Sequence, residues 1–254
     1  MEISKVAWKV AGRRLTVAAG SVTGEHYRDN FDVLHLDPGP PLAVVADGLG
    51  DGRGSGIAGR TAVDTFVATL LREPGGAHPP AALREAVAEA QAAVRRAGRG
   101  LDELTGCTLT AFVGGPDEPD AWIVQLGDSR AYRLRDGLLE LLTVDHTIAW
   151  LGVLHGWFTA DSAEGRAARY RLTRFAGHAE DPEPDVLNVS LRPDDVYLLC
   201  TDGVPDQLSY EHLARVLGGT ADPAAVAHVL LDDTMKAGGA DNATAVVIRV
   251  ENSI

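Results

Sequence analysis

Four aspartates in this 254-residue chain stand where short apolar runs begin or end. They are Asp47 after the run 43–46, Asp128 after 123–126, Asp202 after 197–200, and Asp241 before 244–250. Apolar runs of this length, bounded by turn residues, are typical of buried β-strands. If these strands pair in the centre of the fold, their ends meet at one rim of a sheet. The chain must therefore fold so that several carboxylates gather at that rim.

Carboxylates held together at a rim of low dielectric constant repel each other unless positive charge lies among them. No Lys or Arg is adjacent in sequence to Asp47, Asp202 or Asp241. A divalent cation is the simplest compensation, and oxygen ligands without His or Cys select Mg²⁺ or Mn²⁺. Glycine after Asp47 and Asp202 leaves room for backbone carbonyls and water near an ion. The alternative is that each Asp-Gly pair is only a turn signal.

The composition is that of a globular protein with a sizeable core. Hydrophobic residues make up 45% and charged residues 23% of the chain, which excludes disorder, collagen and coiled coil as descriptions of the whole. Lys and Arg number 23 against 36 Asp and Glu, so the formal net charge is −13. Because such a chain repels polyanions, nucleic acid and anionic membrane are not expected as partners.

The sequence also predicts a cytoplasmic location. Cys107 and Cys200 each stand in an apolar run, and we expect both to be buried, reduced thiols. The first residues lack the apolar stretch of a signal peptide. No apolar run approaches the roughly 18 residues that a membrane helix needs.

The order of the predicted elements favours antiparallel sheets covered by helices over a doubly wound parallel sheet, because short turns join most strands. Strands are predicted over 5–10, 15–19, 31–36, 42–46, 108–113, 121–126, 131–135, 196–200 and 244–250. Helices are predicted over 58–71, 81–97 and 211–217, and from Asp222-Pro223 toward Met235. The stretch 148–179 shows weak periodicity, and we interpret it as an excursion from one single domain.

Two other motifs suggest different chemistry. Residues 54–59 fit the glycine pattern G-x-G-x-x-G, but a dinucleotide-binding turn follows its strand directly, and here 47–53 intervene. Residues 127–131 nearly fit the elbow of serine hydrolases, but an elbow is followed by a helix and 131–134 continues as a strand. We therefore interpret the glycines as a loop before a packed helix, and do not assign Ser129 as a nucleophile. His146 is interpreted as a hydrogen-bonded turn residue near a helix start.

Six motifs together resemble a known family. They are VADGLG at 45–50, GCTL at 106–109, GDSRAY at 127–132, LTVDHT at 142–147, LCTDG at 199–203 and DNAT at 241–244. In this order they resemble the metal-dependent Ser/Thr protein phosphatases, the protein phosphatase 2C (PPM) family in its bacterial form, from about residue 20 to 250. The resemblance implies an α+β fold: a four-layer αββα sandwich of two antiparallel β-sheets flanked by helices. It implies one domain over 1–254, with a small flap at about 148–179.

The resemblance also implies roles for individual residues in a site with two Mn²⁺ or Mg²⁺ ions. Asp47 would bridge the two metals, and the carbonyl of Gly48 would bind the second. Asp202 and Asp241 would bind the first metal, and Asp128 with Asp202 a third, weaker one. Asp32 would orient a metal-bound water. These implied roles give a candidate catalytic set of Asp47, Asp202, Asp241 and Asp32.

Three departures from the family pattern concern this same site. Phe31 stands where some relatives carry a Glu ligand. The phosphate-binding Arg of the family corresponds to Tyr27, so Arg28 is the candidate for that role, one position away. Leu49 stands where eukaryotic relatives have a His.

Together these observations predict a phosphatase in which metal-activated water hydrolyses phosphoserine and phosphothreonine on proteins. The expected partners are a phosphoprotein substrate and an opposing Ser/Thr kinase, and the protein is expected to be a monomer. The alternative is a non-catalytic or weakly active phosphatase-like domain that binds a regulatory partner, which Phe31 and the displaced Arg28 favour.

Overall fold

Two antiparallel sheets form the centre of the molecule. A computed structural model of the protein describes residues 1–10, 12–72, 78–115 and 120–251. Within them, a six-stranded sheet has the order β1-β2-β11-β10-β7-β8, and a five-stranded sheet has the order β3-β4-β5-β6-β9. The strands are β1 Ile3–Val10, β2 Arg13–Val22, β3 Val33–Leu36, β4 Leu42–Ala46, β5 Leu109–Gly114, β6 Asp120–Leu126, β7 Arg130–Arg135, β8 Leu138–Leu141, β9 Asp185–Ser190, β10 Val196–Cys200 and β11 Ala243–Val250.

Helices cover the outer face of each sheet. The helices are α1 Arg53–Leu70, α2 Pro80–Ala97, α3 Ile148–Leu154, α4 Ala163–Ala168, α5 Gly203–Gln207, α6 Tyr210–Gly219 and α7 Pro223–Lys236. Helices α1 and α2 pack with β4 and β5 into one apolar cluster, and α6 and α7 pack with β10 and β11 into another. A third apolar cluster, which includes Phe112 and Tyr197, fills the space between the sheets. The predicted αββα sandwich is therefore confirmed.

The pairing of the strands explains why the four aspartates meet. In one sheet β10 runs antiparallel to β11, with Cys200 opposite Ala245, so the end of β10 lies beside the start of β11. In the other, β4 and β6 both pair antiparallel with β5 and hence run in the same direction. Their C-terminal ends lie together on either side of the start of β5. Each sheet thus brings two of the aspartates to one of its ends.

Several predicted elements have different bounds, and some were missed. Helix α1 begins at Arg53, five residues before the prediction, because the glycine-rich stretch forms its first turns and is not a loop. Gly59 permits close packing there, since a Cβ on it would lie 2.8 Å from Val33. Strands β8 and β9 and helices α3, α4 and α5 were not predicted. The helix N-caps at Ser209 and Asp222 are confirmed.

The stretch 148–179 leaves the sandwich and returns to it. It contains the short helices α3 and α4, and it rejoins the body through backbone pairing of Thr147 with Leu172 and of Cys107 with Ala176. The stretch thus lies outside both sheets, and the single domain with a flap at about 148–179 stays a prediction. No helix in the described part of the chain is long and apolar enough to cross a bilayer.

Candidate metal centre

The predicted acidic residues lie around one cavity at the end of the sandwich. Asp47, Gly48, Asp128, Asp202 and Asp241 all line a cavity of about 410 Å³. Asp47 and Asp128 come from the five-stranded sheet, and Asp202 and Asp241 come from the six-stranded one. The cavity therefore spans the seam between the two sheets. Among the described residues that line it there is neither Lys nor Arg.

The backbone around Asp47 is fixed by the start of β5. The N–H of Asp47 donates to Oγ1 of Thr108 at 2.8 Å, and the N–H of Thr108 donates to the carbonyl of Asp47 at 2.9 Å. Gly48 lies against the first turn of α1, since a Cβ on it would lie 2.6 Å from the carbonyl oxygen of Ser55. Glycine is thus required here by close packing.

Two carboxyl groups from the two sheets meet directly in the cavity. After burial, the charge of Asp202 is the largest cause that raises the pKa of Asp47. Two carboxylates this close disfavour each other's ionised form, so without a cation the protonated form of one of them is favoured. A cation bound by both side chains would remove the repulsion between them.

Asp241 has two polar neighbours. The N–H of Asn242 donates to its Oδ1 at 2.7 Å, and the hydroxyl of Tyr27 is close enough to its side chain for each group to shift the pKa of the other. Burial, together with the negative charges of Asp241 and Asp47, raises the pKa of Tyr27 to about 12, so the phenol keeps its proton at neutral pH. Tyr27 lines the cavity with Asp241 and was not predicted as a site residue.

Asp32 lies buried behind the cavity, between the ends of β10 and β11. Its Oδ2 accepts hydrogen bonds from the hydroxyls of Thr201 at 2.8 Å and Thr244 at 2.7 Å. The hydroxyl of Thr244 is also hydrogen-bonded to Ser21, which accepts from the side-chain amide of Asn30. Oδ1 of Asp32 is buried and, among the described residues, has no hydrogen-bond partner. A buried carboxylate oxygen of this kind requires a donor or a cation.

Asp128 stands on a tight turn that His146 supports. Gly127 has a φ of 113°, a conformation that favours glycine, and its N–H donates to Nδ1 of His146 at 3.0 Å. Nε2 of the same ring therefore carries the proton and donates to Asp185 at 3.1 Å. Arg174 in turn donates to Asp185 at 3.0 Å. The interpretation of His146 as a hydrogen-bonded turn residue is confirmed, and its ring connects the Asp128 turn to the exit of the stretch 148–179.

A second, small cavity adjoins the first through Asp128 and Asp202. It is also lined by Arg130, Asp145, Arg169, Tyr170 and Asp206. Arg130 forms two hydrogen bonds with Asp145, at 2.8 and 2.6 Å, and Arg169 pairs with Asp206. Each arginine thus has its own carboxylate, which leaves the four cavity aspartates without a dedicated positive partner.

Asp206, Arg130 and Arg169 are site neighbours that the sequence analysis missed. Asp206 was detectable, because it follows Asp202 by four residues and so shares a helix face with it. Arg130 lies two residues after Asp128, inside the motif at 127–132, but no role was assigned to it. Arg169 comes from a distant part of the chain, and no local pattern indicated it.

The structure does not bring Arg28 to the acidic cavity. Arg28 lines an adjoining cavity, together with His26 and Asp51. Tyr27 and Phe31 line both cavities and so lie between them. The rings of Tyr27 and Phe31 lie edge to face, 6.3 Å apart. The phosphate-binding role of Arg28 stays a prediction, and Tyr27 is the side chain of this segment that lies next to the carboxylates. Leu49 also lines the acidic cavity.

Burial and mutual repulsion act together on the acidic residues. Burial, opposed by the hydroxyls of Thr244 and Thr201, raises the pKa of Asp32 to about 7. Burial and the nearby charges of Asp206 and Asp241 raise the pKa of Asp202 to about 7. The pKa values of Asp47 and Asp128 are raised for the same reasons, burial first and the charge of Asp202 second. Without a cation, the site therefore holds protons that an isolated carboxylate would have lost.

The residues present fit hard divalent ions. Among the described residues, no three His, Cys, Asp or Glu side chains are arranged so that they could hold a metal ion together. Such a cluster is not needed, because Mg²⁺ in proteins is commonly held by one or two carboxylates, with water and substrate oxygens completing its shell. The contact between Asp47 and Asp202, the unpartnered oxygen of Asp32 and the all-oxygen donor set agree with ions of this class.

Comparison with known proteins gives one consistent result. The family model described as Protein phosphatase 2C matches residues 19–236. The chain is 33% identical over 250 residues to the serine/threonine protein phosphatase PstP of Mycobacterium tuberculosis, which covers 93% of this chain and 45% of that protein. The chain therefore spans a little under half the length of this relative.

Two solved structures of this relative are similar to the fold of this chain. The crystal structure of PstP from M. tuberculosis superposes with a TM-score of 0.82 and 31% identity, covering 94% of this chain and 99% of that one. The catalytic domain of PstP in complex with two manganese ions superposes with a TM-score of 0.81, at 31% identity and the same coverage.

Proposed function

This chain belongs to the protein phosphatase 2C family, and on that premise we propose that it is a metal-dependent phosphatase that hydrolyses phosphoserine and phosphothreonine on proteins. One observation carries the proposal: Asp47, Asp128, Asp202 and Asp241 line a single cavity whose described lining contains neither Lys nor Arg, so their negative charge calls for compensation by a cation. The two manganese ions of the PstP structure support Mn²⁺ or Mg²⁺ as that compensation.

The chain's own residues would hold and orient the reacting groups. Asp47, the Gly48 carbonyl, Asp202 and Asp241 would bind two ions, with Asp128 available to a third. When bound, such ions neutralise the charge on the phosphoryl oxygens and make water a nucleophile near neutral pH. Tyr27 and the Asn242 N–H keep Asp241 in place. Oδ1 of Asp32 is free to accept a hydrogen bond from the attacking water, since Oδ2 is saturated by Thr201 and Thr244.

Phosphoryl transfer depends mainly on positioning and on charge neutralisation, so no side-chain nucleophile is required. Ser129 agrees with this, because it is buried and its hydroxyl is hydrogen-bonded to Thr108 at 2.7 Å. A phosphatase of this kind implies a Ser/Thr kinase that supplies its substrate. We place the protein in the cytoplasm as a monomer, and its two free, buried cysteines are compatible with that placement.

The proposal is tested by turnover of p-nitrophenyl phosphate and of a phosphothreonine peptide with added Mn²⁺. We expect Mn²⁺-dependent hydrolysis, and we expect Asp47→Asn or Asp202→Asn to lower kcat on the order of 10²-fold or more, since each removes a charge from the ion-binding set. Asp64→Asn is the matched control, because Asp64 is exposed on α1. Full activity in both cavity variants would overturn the site assignment.

A regulatory, weakly active domain is the second candidate. The position of Arg28 outside the acidic cavity favours it, because no described cation then faces a phosphate bound there. Calorimetry with Mn²⁺ separates the two candidates. Two binding sites that are lost in Asp47→Asn support the enzyme, whereas an absence of binding supports the regulator.

A further inference from the structure

The acidic cavity has a second, apolar side. Its floor is formed by carboxylates, whereas one wall is formed by large hydrophobic side chains. We call this wall the apolar rim; its members are Leu49, Leu104, Tyr170, Leu172 and Phe175. They come from three separate segments: the loop after β4, the loop between α2 and β5, and the end of the stretch 148–179. Chain segments that are far apart in sequence thus converge to place apolar surface beside the carboxylates.

The inner part of the rim is held rigidly by the fold. Gly106 lies between Phe175 and Leu49: a Cβ on this glycine would lie 2.8 Å from the Phe175 ring and 3.2 Å from Leu49. The backbone of Leu49 donates to the carbonyl of Gly106 at 2.9 Å. Backbone pairing of Cys107 with Ala176 fixes the segment that carries Phe175. These contacts give a preformed apolar surface.

The outer part of the rim is open to solvent. Tyr170 is 75% exposed and Leu104 is 58% exposed, although both line the cavity. Exposed apolar side chains that border a cavity are typical of a binding surface, because covering them releases water. Because Leu104 and Tyr170 line the same cavity, a ligand in it can contact both.

The charge around the cavity limits which substrates can bind against the apolar rim. Glu103 precedes Leu104 and accepts a hydrogen bond from the N–H of Gly54 at 2.9 Å. Asp51 lines the adjoining cavity, which also contains Arg28. The proposed ions balance the four carboxylates of the floor, but the chain as a whole carries a net charge of −13, which disfavours additional negative charge on a substrate. Acidic residues next to the phosphorylated side chain are thus disfavoured, and apolar ones match the rim.

We propose that the apolar rim selects substrates in which an apolar residue adjoins the phosphoserine or phosphothreonine. This inference rests on the proposed phosphatase function. A phosphate bound over the carboxylates places the neighbouring residue of an extended peptide roughly 3.5 Å farther along the chain. The carboxylates and the apolar rim line the same cavity of about 410 Å³, so this neighbouring residue lies beside the rim. Leu104 and Tyr170 are then specificity-determining residues.

The test compares two phosphothreonine peptides of equal length and charge, one with leucine and one with glutamine on both sides of the phosphothreonine. With Mn²⁺, we expect the wild-type protein to prefer the leucine peptide roughly 10-fold in kcat/KM, the discrimination that apolar contacts typically supply. Leu104→Ser and Tyr170→Ala should reduce this ratio toward one, mainly through KM. Tyr170→Phe keeps the ring and should keep the ratio.

Leu138→Ser is the matched control, because Leu138 is 63% exposed on β8 and is not among the residues lining the cavity. It should leave the ratio and the basal activity unchanged. Equal kcat/KM values of the wild type for the two peptides, or an unchanged ratio in Leu104→Ser and Tyr170→Ala, would overturn the proposed specificity while leaving the phosphatase function intact. No Mn²⁺-dependent hydrolysis of either peptide or of p-nitrophenyl phosphate would instead overturn the phosphatase function, and the specificity with it.

Discussion

Asp32 illustrates how single residues make this site reactive. One of its carboxylate oxygens is saturated by hydroxyls from the two strand ends, and the other is buried without a partner among the described residues. A buried group left in this way lowers stability unless something binds it. The fold therefore maintains an unfavourable arrangement at the place where a cation and water would be accommodated.

Gly48 provides a test at the same scale. We expect Gly48→Ala to destabilise the protein by about 1–3 kcal/mol, because its Cβ would lie 2.6 Å from the backbone of Ser55 in the first turn of α1. Urea unfolding followed by circular dichroism measures the change. Gly219→Ala is the control, since a Cβ there meets no atom within 4 Å, and it should change stability by less than about 0.5 kcal/mol. Equal effects of the two substitutions would contradict the packing assigned to Gly48.

At the scale of elements, a buried histidine joins three parts of the fold. His146 accepts from Gly127 beside Asp128, donates to Asp185 on β9, and through Asp185 contacts Arg174. We expect His146→Leu to lower the free energy of unfolding by about 1–3 kcal/mol, because the N–H of Gly127 loses its acceptor in a buried position. Thermal or urea unfolding measures the loss.

Two variants complete that experiment. His146→Asn places an oxygen near the position of Nδ1, and it should recover part of the stability. His228→Leu changes an exposed histidine on α7 and should have little effect. If His146→Leu is no more destabilising than His228→Leu, the connecting role of His146 is wrong.

The sequence predicted those elements that have a strong hydrophobic pattern and missed those with a weak one. The buried strands β4 and β10 were predicted at their observed bounds because they are short, continuous apolar runs. Strand β8 was missed, although Asp136 and Gly137 both have positive φ and form the Asp-Gly hairpin turn that precedes it. Strand β9 was missed because it lies at a sheet edge and is largely half-buried or exposed, so its pattern is weak.

The site residues that stand next to strand ends could be predicted from the sequence. Those that reach the cavity only through long-range folding could not. Asp47, Asp202 and Asp241 directly follow or precede apolar strands, and the fold brings them to one cavity. The position of Tyr27 beside Asp241, with Arg28 in the next cavity, depends on the path of the loop 23–32, which is hydrogen-bonded to Gly239 and Asn242 just before β11. No local pattern in the sequence specifies that path.

At the scale of the whole molecule, the excess of acidic groups makes stability depend on pH and on metal. Burial raises the pKa of both Asp32 and Asp202 from 3.8 to about 7, so the metal-free folded state holds protons that the unfolded chain has released. Their stabilising contribution is fully present below about pH 4 and is lost as the pH rises through about 7. Burial lowers the pKa of His146, so the contribution of this group to stability increases as the pH rises toward 6.5. This increase comes from one group, whereas the decrease comes from several carboxylates.

We therefore expect the Tm of the metal-free protein to fall between about pH 5 and pH 8, and added Mn²⁺ to raise the Tm most at the higher pH, where the carboxylates are free to bind it. Differential scanning calorimetry with and without EDTA measures both effects. Asp202→Asn removes one of the titrating groups and should flatten the fall. A Tm that rises over this range without metal would contradict the electrostatics assigned to the cavity.

The central claim is that the aspartates at the seam of the two sheets hold a pair of divalent ions. The most direct measurement is an anomalous difference map from crystals grown with Mn²⁺. We expect two strong peaks in the cavity, one between Asp47 and Asp202 and both within ligand distance of carboxylate oxygens. A map with no peak in this cavity, or with manganese bound only elsewhere on the surface, would contradict it.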